Sequence, residues 1–260
     1  MAFVEIRQIE GDHIAVITLN RPEAANALSK SLLDQLNTII NKINTDNSIY
    51  CAIITGAGEK AFCAGADLKE RRGMSDDEVI EAVQYIGKTI AAIENMRIPV
   101  IAAMNGVAFG GGLELALACD IRVADHTAKM GLTETSLAII PGAGGTQRLP
   151  RLIGLGQAKR LIYLAQPIQA QHAYEIGLVE ELAVQQNAYA VALEIAKNIS
   201  KNGPIALKQA KAAIDKGIQA DITTGLAIEH LCYKETIPTS DRLEGLEAFK
   251  EKRKPVYQGK

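Results

Sequence analysis

An α/β fold is the class this 260-residue chain predicts, and three observations predict it. Compact β-rich runs recur at Ile14 to Leu19, Cys51 to Thr55, Ile98 to Met104 and Ile121 to Ala124. Segments whose apolar residues repeat at helical spacing separate the earlier of them. Glycine clusters stand where apolar runs end, at Gly56 to Gly58, around Gly65, at Gly110 to Gly112 and at Gly142 to Gly145. Strand, strand and helix recur to about residue 140, which implies a coiled stack of similar units, and from about Gly154 the pattern turns to helices. The division expected is a core over residues 1–200 and a helical, oligomer-forming region over 201–260.

In chain order, Ile14 to Leu19 is a strand stopped by the turn Asn20-Arg-Pro22. Ser29 caps a helix with one apolar face, Leu32, Leu33, Leu36, Ile39, Ile40 and Ile43. Cys51 to Thr55 is the next strand, and Phe62 to Asp67 an apolar run that breaks at a glycine. Ser75-Asp-Asp77 opens a helix reaching about Met96, followed by the buried strand Ile98 to Met104. Leu113 to Cys119 is a short, almost wholly apolar helix, Ile121 to Ala124 a strand, and Lys129 to Glu134 a segment bent at Gly131. The loop Pro141 to Thr146 feeds a helix containing Arg148. Helices are expected over 157–165, 170–176, 187–199, 205–216, 221–236 and 241–252, with a short strand-like run at 178–182. The last helices have no sheet to cover, so a homo-oligomer is expected.

Composition excludes several classes. The chain is 48% apolar and 22% charged with net charge −2, typical of a soluble globular protein without an overall basic footprint. Cys51, Cys63, Cys119 and Cys232 form no C-x-x-C pair and read as thiols in a reducing compartment. With no secretory leader, transit peptide or membrane-spanning run visible, the expected location is the cytoplasm, or an organelle matrix after processing. No G-x-x-x-x-G-K-[ST] or G-x-S-x-G is present, and Gly142-x-Gly144 does not continue as a dinucleotide loop because position 147 is Gln. His13, His126, His172 and His230 show no metal-ligand spacing, so no metal is expected.

Chemistry concentrates in Asn105 to Asp120. Three successive glycines start a buried helix, whose first amides lack partners and suit an oxygen gaining negative charge. Glu114 is the single charge between Arg97 and Asp120. On this stretch alone it is either an ordinary helix-start acid or a working carboxylate. Ala64-Gly-Ala66 offers a second bare-backbone donor loop, and Glu134 a second isolated carboxylate. Two amides suit a carbonyl turning into an enolate-like oxyanion, and two carboxylates suit the addition of water. The basic run Lys250 to Lys254 reads as a solvated end or a phosphate holder.

Motifs along nearly the whole chain identify it as similar to the crotonase superfamily of enoyl-CoA hydratases and isomerases. They are Asn20-Arg-Pro22 with Asn26-Ala-Leu28, Phe62-Cys-Ala-Gly-Ala-Asp67, Asn105-Gly-x-x-x-Gly-Gly-Gly-x-Glu-Leu115 and Cys119-Asp-Ile-Arg-Val-Ala124. Pro141-Gly-Ala-Gly-Gly-Thr-Gln-Arg-Leu149, Ala173-x-x-x-Gly-Leu-Val179 and Glu244-Gly-x-x-Ala-Phe-x-x-Lys-Arg253 continue the register. The resemblance implies a crotonase-like coil of ββα units with a C-terminal helical region, assembled as trimers or, as expected here, a hexamer made of two trimers. It implies an acyl-CoA thioester substrate, with coenzyme A part of the substrate and no separate cofactor.

Carried onto this sequence, the resemblance puts the oxyanion hole on the amides of Ala64 and Gly111. It implies that Glu114 activates water and Glu134 protonates the α-carbon. Gly142 matches a glycine beside the thioester. Ala64, Gly65, Ala66, Asp67 and Leu68 match the stretch against which coenzyme A packs, and Lys69 and Lys250 are candidates for its phosphates. With both carboxylates present, the implied reaction is hydration of a short-chain 2-enoyl-CoA, ahead of isomerisation. Methylglutaconyl-CoA hydratases are similar at Ala64 to Arg71, Gly112 to Asp120 and Tyr233 to Gly245. Their substrate has a second carboxylate, for which Arg71 or Arg72 would be the cation. A mammalian member also binds AU-rich RNA through a lysine row on its first helix. That helix keeps Lys30 here, but the matching next positions are Asp34 and Thr38, so no nucleic-acid partner is expected.

Overall fold

The computed structural model describes residues 2–9, 11–185 and 187–260. The chain opens with a strand that sequence reading passes over, β1 (Val4–Ile9), paired antiparallel with β2 (Ile14–Leu19) at the edge of a sheet. Helix α1 (Lys30–Thr45) follows, with the Ser29 hydroxyl accepting from the Leu32 amide and Leu32, Leu33, Leu36, Ile40 and Ile43 buried. Next come β3 (Cys51–Gly56), β4 (Ala61–Cys63), the one-turn α2 (Leu68–Arg71) and the long α3 (Asp76–Glu94). A reciprocal Ser75–Glu78 capping box starts α3.

The pattern repeats with β5 (Val100–Met104), β6 (Val107–Phe109) and α4 (Gly111–Leu117), then β7 (Ile121–Asp125) and β8 (Lys129–Gly131). A 3-10 turn (Glu134–Leu137), α5 (Gly145–Ile153) and α6 (Leu155–Leu164) complete that unit. β9 (Ile168–Gln169), α7 (Ala170–Glu175), β10 (Glu181–Ala183) and α8 (Ala188–Ile199) lead to three final helices, α9 (Pro204–Gly217), α10 (Ile222–Thr236) and α11 (Ser240–Glu251).

The three middle units, β3–β4, β5–β6 and β7–β8, each lay one strand in each of two sheets before their helices, whereas β1 and β2 both enter the larger sheet before α1. The larger sheet runs β1-β2-β3-β5-β7-β10, parallel from β2 onward, and the smaller runs β4-β6-β8-β9. The structure is thus the coil of ββα units expected, with helices after it. Strand β3 is buried at every position because both faces of the large sheet are covered. Ile53, Ile101 and Val123 face Ala188, Ala192 and Ala196 of α8, whose four-residue alanine spacing lets helix and sheet lie close. Their neighbours Ala52, Ile54, Ala102 and Ala124 face the main core with α1, α3 and α4.

Corner residues stitch the rungs. Asn105 Nδ2 donates to the Gly56 and Gly58 carbonyls at 2.9 and 2.7 Å, and its Oδ1 accepts from the Gly56 amide. Buried Asn26 does the same one level earlier, donating to the carbonyls of Ala57 and Ala61 and accepting from the Arg21 amide. These contacts account for the two Asn-containing motifs without invoking chemistry. Cys119-Asp-Ile-Arg is also structural: Arg122 Nη1 donates to the Cys119 carbonyl, and Asp120 accepts from the Val100 amide and from Lys211 of α9. Two loops remain where neighbouring rungs turn toward each other.

Candidate active site

The Gly110 turn and the Ala64–Ala66 loop meet closely. A Cβ on Gly65 would lie 2.7 Å from the Phe109 carbonyl and 3.1 Å from the Gly111 nitrogen, so any side chain there would force the loops apart. One on Gly112 would lie 2.0 Å from the Cys63 carbonyl. The glycines are therefore needed for contact between rungs.

The expectation for Ala64 is corrected by the hydrogen bonding. Its N–H donates to the Ala25 carbonyl at 3.0 Å and is not free. The chain bends there because Ala25 and Asn26 both take left-handed backbone conformations, at φ 50° and 54°. Leu28 then bridges to Ala66: its N–H donates to the Gly65 carbonyl, and its carbonyl accepts from the Asp67 amide. Within the described residues this leaves the Ala66 amide without a backbone acceptor, beside the equally unengaged Gly111 amide at the start of α4. The donor pair the backbone offers is thus Ala66 and Gly111.

Two carboxylates lie near that turn. Glu114, in the first turn of α4, is 2% exposed. Its Oε1 accepts from the Ala143 and Gly145 amides, both at 2.8 Å. Burial pushes its carboxyl up from the ordinary range, while these two amides and the charges of Arg148 and Arg71 pull the other way. Glu134 enters from the turn after β8. Gly110 (φ 51°) sets its bare Cα against this carboxylate, and a Cβ there would lie 3.0 Å from Glu134 Oε1. Glu134 Oε2 is buried with no hydrogen-bond partner among the described residues. Burial first, and then the Glu114 charge, push the Glu134 carboxyl up to about 7.

The remaining expected site residues fall in different places. The Gly142 backbone is exposed beside Val83 at the edge of the Glu114-binding loop. Asp67 is committed, capping α2 through the Lys69 and Glu70 amides and pairing with Arg21 at 3.0 Å. Leu68 and Lys69 are exposed on α2. Lys250 is exposed on α11, 3.5 Å from Glu247, and among the described residues no hydrogen bond or ion pair joins it to the Ala64–Lys69 loop. Arg71 lies near enough for its charge to lower both carboxyls slightly, and it lines a cavity of about 590 Å³ with Leu28, Leu33, Met74 and Ile86. Leu28 joins the two places, its Cδ1 lying 3.2 Å from where a Gly111 Cβ would stand. Arg72 is exposed.

Two facing amides, a buried carboxylate anchored by two N–H groups and a half-buried one with an unpartnered oxygen are an arrangement for a carbonyl whose neighbouring carbons exchange protons. Known proteins agree. The family model for enoyl-CoA hydratase/isomerase matches residues 10–260. A crystal structure of an enoyl-CoA hydratase from Bacillus anthracis is 54% identical, superposes with a TM-score of 0.97 and covers all of both chains. Human mitochondrial methylglutaconyl-CoA hydratase is 49% identical over 262 residues, 98% of this chain and 77% of that protein. Bacillus subtilis (strain 168) YngF, named only to the level of enoyl-CoA hydratase/isomerase, is 57% identical over 251 residues, 96% of each chain. Geometry and likeness converge, and the chain belongs to the enoyl-CoA hydratase/isomerase family of the crotonase superfamily.

Proposed function

We propose that this protein is an enoyl-CoA hydratase that adds water, syn, across the double bond of a short-chain 2-enoyl-CoA to give the 3-hydroxyacyl-CoA. The observation that carries the reading is the unequal pair of carboxylates beside two free amides. The thioester oxygen accepts from the Ala66 and Gly111 amides, which stabilise the charge it gains as the enolate forms; such a donor is worth on the order of 3 kcal/mol. Glu114, held by two N–H donors, favours the carboxylate and takes the proton from water as the hydroxyl bonds to the β-carbon. Glu134, whose one backbone donor is its own amide, favours the acid and gives its proton to the α-carbon. The pair is restored when Glu114 gives up the proton it took and Glu134 regains one, by direct transfer or through solvent.

The test is loss of the conjugated enoyl-thioester absorbance with crotonyl-CoA, for wild type and Glu134→Gln. Rapid turnover that collapses in the variant is expected; an active Glu134→Gln, or a wild type that hydrates no enoyl-CoA, overturns the reading.

Arg71 supports a second reading, hydration of 3-methylglutaconyl-CoA, because its guanidinium has no carboxylate partner among the described residues. A carboxylate on the acyl chain would supply one. On that reading Arg71→Ala raises KM for 3-methylglutaconyl-CoA at least tenfold and leaves crotonyl-CoA within about twofold. Equal effects on both substrates remove it.

For assembly, we propose a homo-oligomer, a hexamer of two trimers. Helices α9, α10 and α11 support this by exposing Ile214, Ile218, Ile222 and Phe249, the last 86% exposed. Sedimentation at micromolar concentration distinguishes hexamer, trimer and monomer.

A further inference from the structure

The loop that grips Glu114 is itself gripped. Ala143 and Gly145 give their N–H groups to Glu114 Oε1, while the Ala143 carbonyl accepts from Arg148 Nη1 at 2.9 Å. The same guanidinium donates through Nε and Nη2 to the two oxygens of Glu94, at 2.8 and 2.7 Å. Glu94 is the last residue of α3, and Arg148 lies in the first turns of α5. Gly144 stands between the two gripping amides at φ 105°, and a Cβ there would lie 2.0 Å from Arg148 Nη1. Only a bare α-carbon lets the guanidinium sit under the loop. Every nitrogen of that group is engaged, in a planar fork that an ammonium cannot reproduce.

We propose that Arg148 and Glu94 are positioning residues for hydration: through the Ala143 peptide they fix the two amides that orient the Glu114 carboxylate toward water. The pair touches neither substrate nor reacting atoms and acts only through the loop. A carboxylate aimed by two backbone amides is only as well placed as the loop carrying them, and small displacements at such a group cost rate steeply. The inference rests on the hydratase reading of Glu114.

The pH profile separates this role from simple support of the fold. The charged groups facing Glu114 are Arg148 from α5, Arg71 from α2 and Glu134 from the turn after β8; Glu94 of α3 acts through Arg148. Cys63 of β4 and Cys119 beyond α4 are buried thiols pushed up to about 12, and stay neutral. Arg148→Met removes the cation and the clamp together, so kcat for crotonyl-CoA should fall about 10- to 100-fold with KM within about threefold. The acidic limb of kcat/KM should also move to higher pH. Glu94→Gln keeps the cation but loses half the fork, so kcat should fall less and the acidic limb should not rise. Arg148→Lys should recover the limb without recovering kcat.

A folded Arg148→Met with kcat within twofold of wild type, or with an unmoved acidic limb, overturns the proposal. Should Arg148→Met not accumulate as folded protein, wild-type kcat in both Glu94→Gln and Arg148→Lys overturns it equally. Glu114→Gln, run alongside, separates the two failures. If it is inactive while the Arg148 variants are normal, only the positioning role is lost; if it turns over normally, the hydratase reading of Glu114 itself fails.

Discussion

Glu114 and Glu134 are the same residue type at the same turn, and the structure treats them in opposite ways. Glu114 belongs to a helix inside the coil, is almost wholly buried, and has one oxygen fixed by two amides from a loop 29 and 31 residues away. Glu134 belongs to a short 3-10 turn that leaves the smaller sheet, is half-buried, and has a buried oxygen that accepts nothing. Desolvation raises both, but only Glu114 receives amide donors from another segment in return. Burial is the largest cause of the rise in both, and the two differ in what the surrounding backbone donates against it. In the hydration proposed, this difference assigns the labour: the held Glu114 accepts a proton, and Glu134, with its carboxyl near 7, supplies one.

The largest effect should come from removing either member. Glu114→Gln and Glu134→Gln should each lower kcat by about 10² to 10⁴, the range for a positioned acid or base. The double variant should be little worse than the singles, because the two act in one step. Additive losses measured by steady-state kinetics would mean that the two carboxylates work independently and that the comparison is misdrawn. Next in size is Gly111→Pro, which deletes one of the two free amides and leaves both carboxylates. Its expected cost is about 10² to 10³ in kcat. Turnover near wild type in folded Gly111→Pro would remove that amide from the reaction.

Much of this arrangement is readable in the chain. Glycine runs ending in apolar helices marked the Gly110 turn, the caps at Ser29 and Ser75 marked α1 and α3, and the isolation of Glu114 among apolar residues singled it out, while only the family resemblance chose between a helix-start acid and a working carboxylate. What escaped depended on pairing between rungs. Strand β1 alternates only over Val4-Glu-Ile-Arg7 before Gln8 breaks the pattern, and it is completed by the edge that β2 offers. The amide of Ala64 is used and that of Ala66 free because Ala25 and Asn26 turn left-handed and aim a carbonyl at Ala64, for which alanine gives no signal. Glu134 meets Gly110 only because β8 lies beside β6, and Glu94 meets Arg148 across 54 residues. Local chemistry is written locally; which amides stay free is decided by the coil.

The smallest effect is on stability, and it sharpens the contrast most directly. The Glu134 carboxyl titrates near 7 in the folded protein and near 4.5 when unfolded. Below about pH 4.5 it is protonated in both states and costs the fold nothing. As pH rises from there to about 7 the unfolded chain releases the proton first, so stability is lost across that window and the loss is complete above it. Discounted for the part of the side chain that water still reaches, the penalty at pH 8 is about 1–2 kcal/mol. Glu134→Gln abolishes it, so the inactive variant should melt several degrees above wild type at pH 8 and show a shrinking advantage toward pH 5. Glu114→Gln should show no such gain, because its amide weakens the charge-assisted bonds that the Ala143 and Gly145 N–H groups make to the carboxylate. Thermal melts of wild type and both variants between pH 5 and 8 decide the matter. A rise in melting temperature for both variants alike would show that the two carboxylates are held in the same way, and that the amides on Glu114 do not make the difference argued for them.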